Sequence, residues 1–150
     1  MEDANEKWDK TWGKVTGLVR QHTRPPDLCQ DIKDFHTKFE LTYDGPPRPL
    51  PYELVSFRAI FMHEELQEYG LAVDNVDLEK QLDALVDLVY VALGTAYLHG
   101  FDFNEAWRRV HAANLKKVRA ETPDDSKRGS VFDVVKPEGW EPPDLSDLVK

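Results

Sequence analysis

The sequence predicts an all-α fold: a bundle of four to five helices followed by an extended C-terminal tail. Three observations carry this reading. Apolar residues recur at spacings of three and four along several stretches, as they do on one face of a helix. Proline-rich breaks and capping residues separate those stretches. No run alternating apolar and polar residues, as a half-buried strand would, extends beyond a few positions.

The elements follow in order. Residues 6–21 form a first candidate helix, closed by Arg24-Pro25-Pro26 because proline cannot continue a helix and restricts the residue before it. Asp27 is the candidate N-cap of a helix reaching about Leu41, with Leu28, Ile32, Phe35 and Phe39 at helical spacing. Tyr43 to Pro51 contains one glycine and four prolines and reads as a loop. A long helix is expected from about Tyr52 to Val73, broken at Asp74-Asn75. The next runs from Asp77 to His99 and stops at Gly100, a C′ glycine. Asp102 caps a further helix from Phe103 to about Ala120. Thr122 to Gly129 is polar loop, and the tail from Val131, with Pro137, Pro142 and Pro143, reads as extended. The whole is taken as one domain, with its core at about 28–120 and its tail at 121–150.

A chain of 150 residues is long enough to bury a core without disulfides, and its single cysteine, Cys29, can form none within the chain. The charged stretch Met1 to Lys14 has no signal-peptide pattern, and no uninterrupted apolar run approaches the roughly 18 residues of a membrane span. A cytoplasmic protein with no membrane partner is expected. The net charge is −9, from 28 acidic and 19 basic side chains. Such a chain is a poor non-specific partner for nucleic acid, but it can take a single nucleotide if a metal or a basic patch neutralises the phosphates.

The second long helix carries the sharpest chemical signal. Leu54, Phe57 and Phe61 share a face whose next positions are Glu65 and Glu68, with Glu64 beside them. An ordinary amphipathic helix places its acids opposite its apolar stripe, whereas here the stripe runs into them. The following helix has a continuous apolar stripe, Leu78, Leu82, Leu85, Val89, Leu93 and Ala96, expected to face the core. Asp83 and Asp87 lie one turn apart beside it, and Tyr90, Gly94 and Tyr97 extend their row. Each acid alone is readily explained as solvated surface. As a converging set they would repel strongly, since like charges about 4 Å apart cost roughly 4 kcal/mol at an effective dielectric near 20. Mg²⁺ or Mn²⁺, which prefer hard oxygen ligands, would neutralise them.

A local reversal of sign follows. Arg108, Arg109, Lys116, Lys117 and Arg119 stand in a stretch without acids, and Asn114 and Lys117 share a helix face. This is either a phosphate-binding face or solvated surface. Lys127-Arg128-Gly129 adds a basic loop, and Arg58 is a further cation near the acids in sequence. His63, His99 and His111 form no metal-ligand pattern, and no Gly-rich phosphate loop occurs.

The segment Glu64-Glu65-Leu66-Gln67-Glu68, with Asp87 nineteen residues beyond, resembles the EExxE…ExxD signature of the MazG-like all-α nucleoside triphosphate pyrophosphohydrolases. The stretches Asp83 to Ala96 and His111 to Lys117 are similar to the phage and bacterial branch described as phosphoribosyl-ATP pyrophosphohydrolase-like. The resemblance covers about Leu28 to Pro143. It implies Mg²⁺ or Mn²⁺ held by Glu65, Glu68 and Asp87, with Glu64 and Asp83 in support. It also implies attack of water on the α-phosphorus with a carboxylate such as Glu64 as base, and contacts to substrate from Asn114, Lys117, Lys127, Arg58 and Tyr90. The first acid of ExxD falls at Ala84, which has no ligand atom, so Asp83 is the expected substitute. The resemblance further implies a homodimer or homotetramer. Purine deoxynucleotides such as dGTP are the favoured substrates. A dUTPase, a phosphoribosyl-ATP pyrophosphohydrolase and a helical adaptor without catalysis remain as alternatives.

Overall fold

A computed structural model describes residues 27–150. The candidate helix at 6–21 lies outside the described residues. Helix α1 spans Leu28–Lys38, and the Asp27 carboxylate accepts from the Gln30 N–H at 3.1 Å, as a capping aspartate should. It stops short of Leu41 because Glu40 turns into the left-handed region, at φ 58°, while the Leu41 N–H bonds back to His36. After the proline-rich loop, α2 runs from Tyr52 to Asp74. Helix α3, Leu78–His99, is capped by Asp77 and ends at Gly100 with φ 75°. A side chain at Gly100 would also meet the Gly45 carbonyl at 2.9 Å, so both conformation and space demand glycine there. Helix α4, Phe103–Asn114, is capped by Asp102.

The chain leaves α4 at Asn114, short of the expected Ala120. Val118–Arg119 instead forms a short strand, β1, antiparallel to β2 at Val134–Val135, in register Val118 to Val135. Short 3-10 turns at Pro123–Asp125 and Ser146–Val149 complete a tail that is more structured than a simple extended segment. The tail is tied to α4. The Trp140 indole N–H donates to the Ala113 carbonyl at 2.8 Å, and Arg109 bridges Glu105 to Asp147 and to the Asp144 carbonyl.

The short link from Asn75 to Asp77 folds α2 and α3 into an antiparallel hairpin. α1 packs on α3, whereas α4 touches it sparsely. The seam between α2 and α3 is built from small residues. Ala72, Ala84 and Val91 are all buried, and among the described residues Ile32 is the one large side chain sealed completely from water. The stripe expected to form the core does so only at its C-terminal end, where Leu93 is buried and Ala96 half-buried. Leu78, Leu82, Leu85 and Val89 are 75, 65, 45 and 48% exposed, because α2 packs against the adjacent face of α3 and turns this one outward. Phe57, on the α2 stripe, is likewise exposed. α3 is the one described helix long and apolar enough, at a mean hydropathy of 1.3, to suit a membrane span by length and composition. That qualifies the sequence reading, although Asp83 and Asp87 and the pairing with α2 mark it as a bundle helix.

Candidate active site

The hairpin brings the predicted acids together. Glu65 sits two turns beyond Arg58 on α2 and is 8% exposed. Burial is the main cause that raises its carboxyl above the ordinary range, and Glu68, Asp87, Glu64 and Asp83 push it further in the same direction. Glu64, Glu68, Asp83 and Asp87 are exposed around it. Carboxylates from both helices therefore act on one buried group, which is the convergence that the apolar-to-acidic stripe predicts.

Two clefts flank this group. One, of about 380 Å³, has Glu65 and Asp87 at one side and Phe35, Phe61, Tyr90 and His36 as aromatic walls, with Arg58 and Val91 completing it. The Tyr90 ring meets Phe35 edge-on at 5.3 Å. Burial, with the nearby Asp31, raises its phenol. The other cleft, about 470 Å³, lies toward the hairpin turn. Glu68, Asp83 and Lys80 line it, with Asn75 and Asp77 at its end and Leu71 and Ala72 in its wall. The acids thus form a ridge facing an aromatic cleft on one side and a polar one on the other. Lys80 was not singled out from the sequence. Its position three residues before Asp83, in the first turn of an acidic-faced helix, was the available signal.

Arg58 spans the hairpin. Its Nη2 donates to the Val91 carbonyl at 2.7 Å and its Nε to Thr95 Oγ1 at 3.0 Å, and burial depresses its pKa. Ala84, where the ExxD pattern calls for an acid, is 3% exposed in the helix seam, and Asp83 beside it is exposed. Asn114, Lys117 and Lys127 line neither cleft. Lys117 lies over the Trp140 ring at 5.6 Å, on the α4 and tail side of the molecule.

The donor chemistry fits a hard divalent cation. Glu65 is a buried carboxylate surrounded by four other carboxylates, and none of the described ion pairs involves it. The side chains are not drawn to ligand distance, since no group of three His, Cys, Asp or Glu among the described residues stands close enough to hold an ion. The helices supply the oxygens, and the exposed carboxylates would have to swing inward to close on one.

A family model described as phosphoribosyl-ATP pyrophosphohydrolase matches residues 32–114, more than half of the chain. The chain belongs to the phosphoribosyl-ATP pyrophosphohydrolase family. Within the MazG-like superfamily this is an all-α fold, which the four described helices agree with. The family supports a pyrophosphohydrolase-type activity, and its enzymes generally use divalent metals. The matched region takes in Arg58, the Glu64–Glu68 segment, Asp83, Asp87, Tyr90 and Asn114, and ends before Lys117 and Lys127. No curated protein matches the chain.

Proposed function

We propose that the protein hydrolyses a nucleoside triphosphate to the monophosphate and pyrophosphate, with a purine deoxynucleotide such as dGTP as the favoured substrate. The observation that carries this reading is Glu65, a buried carboxylate ringed by acids from two helices and opening into an aromatic cleft. Glu65, Glu68 and Asp87 would hold Mg²⁺ or Mn²⁺, with Asp83 taking the place of the acid absent at 84. A divalent cation held by these carboxylates would supply charge neutralisation for the phosphates and Lewis-acid activation of water. Glu64, exposed at the edge of the ridge, accepts the proton of the attacking water. Phe35, Phe61 and Tyr90 offer apolar faces to a base, and the cleft volume falls within the roughly 300–1,000 Å³ of small-molecule sites. Arg58 walls the same cleft. Asn114, Lys117 and Lys127 would meet the outgoing phosphates from the side of α4, in the same chain or a neighbouring one.

The family match favours one other substrate, phosphoribosyl-ATP, whose cleavage also releases pyrophosphate from an adenosine phosphate. A homodimer or homotetramer belongs to the same proposal, because the exposed Leu78, Leu82, Leu85 and Val89 stripe is an apolar face that a second copy would cover.

The common NTPs and dNTPs and phosphoribosyl-ATP, screened with Mg²⁺ or Mn²⁺ and with EDTA, test the reading. Equal amounts of monophosphate and pyrophosphate are expected. Label from ¹⁸O-water should enter the monophosphate, and EDTA should abolish turnover. Diphosphate as the main product, or full activity without metal, would reject it.

A further inference from the structure

Among the described arginines, Arg58 is the one that is half-buried with no carboxylate among its described partners; Arg48 and Arg119 also donate to backbone carbonyls, but both are exposed. Arg109 and Arg128 bond to Asp147 and Asp133, as surface arginines commonly do. Arg58 is half-buried in the wall of the cleft that Glu65 and Asp87 also line, yet its described hydrogen bonds go to a backbone carbonyl and a hydroxyl. Desolvating a guanidinium for neutral acceptors is costly, so its contribution lies in where it holds the helices rather than in pairing charge.

The contact is built on both sides. The Val91 carbonyl accepts from Arg58 and from Thr95 Oγ1, the latter at 2.8 Å, so Arg58 and Thr95 form a closed triangle with it. Gly94 provides the space. A Cβ there would lie 2.7 Å from Arg58 Nη2 and 3.1 Å from His36 Cε1, and His36 is itself pinned by its Nδ1 contact with the Ile32 carbonyl at 2.9 Å. From this junction the two helices run as rigid rods in opposite directions along the sequence. Seven residues on α2 lead from Arg58 to Glu65, and four on α3 lead back from Val91 to Asp87.

We infer that Arg58 is a positioning residue: seated in the notch left by Gly94, it fixes the axial register of α2 on α3 and so sets Glu65 against Asp87 for a divalent cation. The inference rests on the metal reading given under Proposed function. A slip of α2 by one residue would move Glu65 about 1.5 Å along the axis and rotate it by about 100°, which is enough to remove it from a shared ligand set.

Mn²⁺ affinity of the full-length protein, measured by titration calorimetry and by the electron paramagnetic resonance of free Mn²⁺, tests this without reference to turnover. Arg58→Ala and Gly94→Ala should each weaken binding about tenfold or more, the size typical when an outer support of a metal ligand is lost. Arg58→Lys, which retains a donor for the Val91 carbonyl, should recover much of that loss. The Arg58→Ala/Gly94→Ala pair should bind no more weakly than Arg58→Ala alone, because the new methyl no longer meets the guanidinium and is left with the milder approach to His36 Cε1. Should Arg58→Ala lose its helical circular dichroism, Gly94→Ala and Arg58→Lys decide the question. Wild-type Mn²⁺ affinity in folded variants, even with a lowered melting temperature, would overturn the inference and leave the metal reading intact. Absence of Mn²⁺ binding to the unaltered protein would overturn both.

Discussion

Replacing Glu65 by glutamine removes a charge from the position where it costs the most. The side chain is almost sealed from water, and its carboxyl is raised first by that burial and then by Glu68, Asp87, Glu64 and Asp83. The sign follows from the direction of the shift. With a folded pKa above the ordinary carboxylate value, the group favours folding when protonated, and that contribution is lost as pH rises through the folded pKa. At neutral pH the metal-free protein therefore carries an unfavourable charge that glutamine would not. Side chains one helical turn apart have Cβ atoms about 5–6 Å apart. Glu68 stands so relative to Glu65, and at about 6 Å and an effective dielectric near 20 that pair would cost roughly 3 kcal/mol. The four neighbours are water-exposed, so screening brings each pair below about 1 kcal/mol. A net gain of roughly 1–2 kcal/mol remains, which for a chain of this length raises the melting temperature by about 2–8 °C. Scanning calorimetry in EDTA should show that rise for Glu65→Gln at neutral pH, shrinking as the pH is lowered and the wild-type carboxyl protonates. Added Mn²⁺ should raise the wild-type melting temperature and leave the variant nearly unmoved. A loss of stability for Glu65→Gln in EDTA, or a gain that does not diminish in acid, would refute the account of Glu65 as a strained and uncompensated charge.

Three further outcomes are expected. Leu82→Glu places a charge on the exposed α3 stripe and should shift the protein to a smaller species by size-exclusion chromatography with light scattering, with little effect on the helical content of the single chain. Glu105 is held at about 2 by its bonds to Arg108 and Arg109, and Asp147 is held low by Arg109. The stabilisation these groups give is complete above the ordinary carboxylate range and is lost as pH falls toward about 2, so acid should release the tail, read as a change in tryptophan fluorescence around Trp140 that Arg109→Ala reproduces at neutral pH. Lys117→Ala should weaken substrate binding or turnover with almost no change in melting temperature; wild-type kinetics would make this face plain solvated surface and move the phosphate contacts elsewhere.

What could be read from the sequence was what is decided locally. Asp27, Asp77 and Asp102 cap their helices because one carboxylate needs only the N–H three residues ahead, and Gly100 ends α3 because its own backbone conformation requires glycine. The acid cluster was legible because an apolar stripe that turns acidic violates the usual amphipathic pattern on a single helix. The end of α4 was not. Val118 and Arg119 leave the helical path for a partner strand at 134–135, and no local signal specifies so distant a pairing. Periodicity also names a helix face without naming what covers it. The Leu78 to Val89 stripe was read as the core of one chain, while the seam that actually joins α2 and α3 was inconspicuous because its residues are small. Nor could side-chain spacing reveal that Arg58 ends on the Val91 carbonyl, since every backbone position carries that acceptor.

The small seam connects the two features that looked separate. Helix axes approach to about 8 Å when small side chains meet and stand near 10 Å when large ones do. With Ala72, Ala84 and Gly94 along the contact, the two backbones come close enough for a guanidinium on α2 to reach a carbonyl on α3 and for Glu65 to feel Asp83 and Asp87 across the gap. The large apolar side chains that would otherwise separate the helices are displaced to the outer face, where Leu78, Leu82, Leu85 and Val89 now stand. An acid cluster shared by two helices and an exposed leucine stripe are thus consequences of one packing choice. Ala84 has its place in that choice: where the signature puts an acid, this chain has a methyl group buried in the seam. A longer side chain there would bring a ligand oxygen while forcing apart the helices that carry the others. Asp83, one position away and outside the seam, adds its charge to the cluster without that cost.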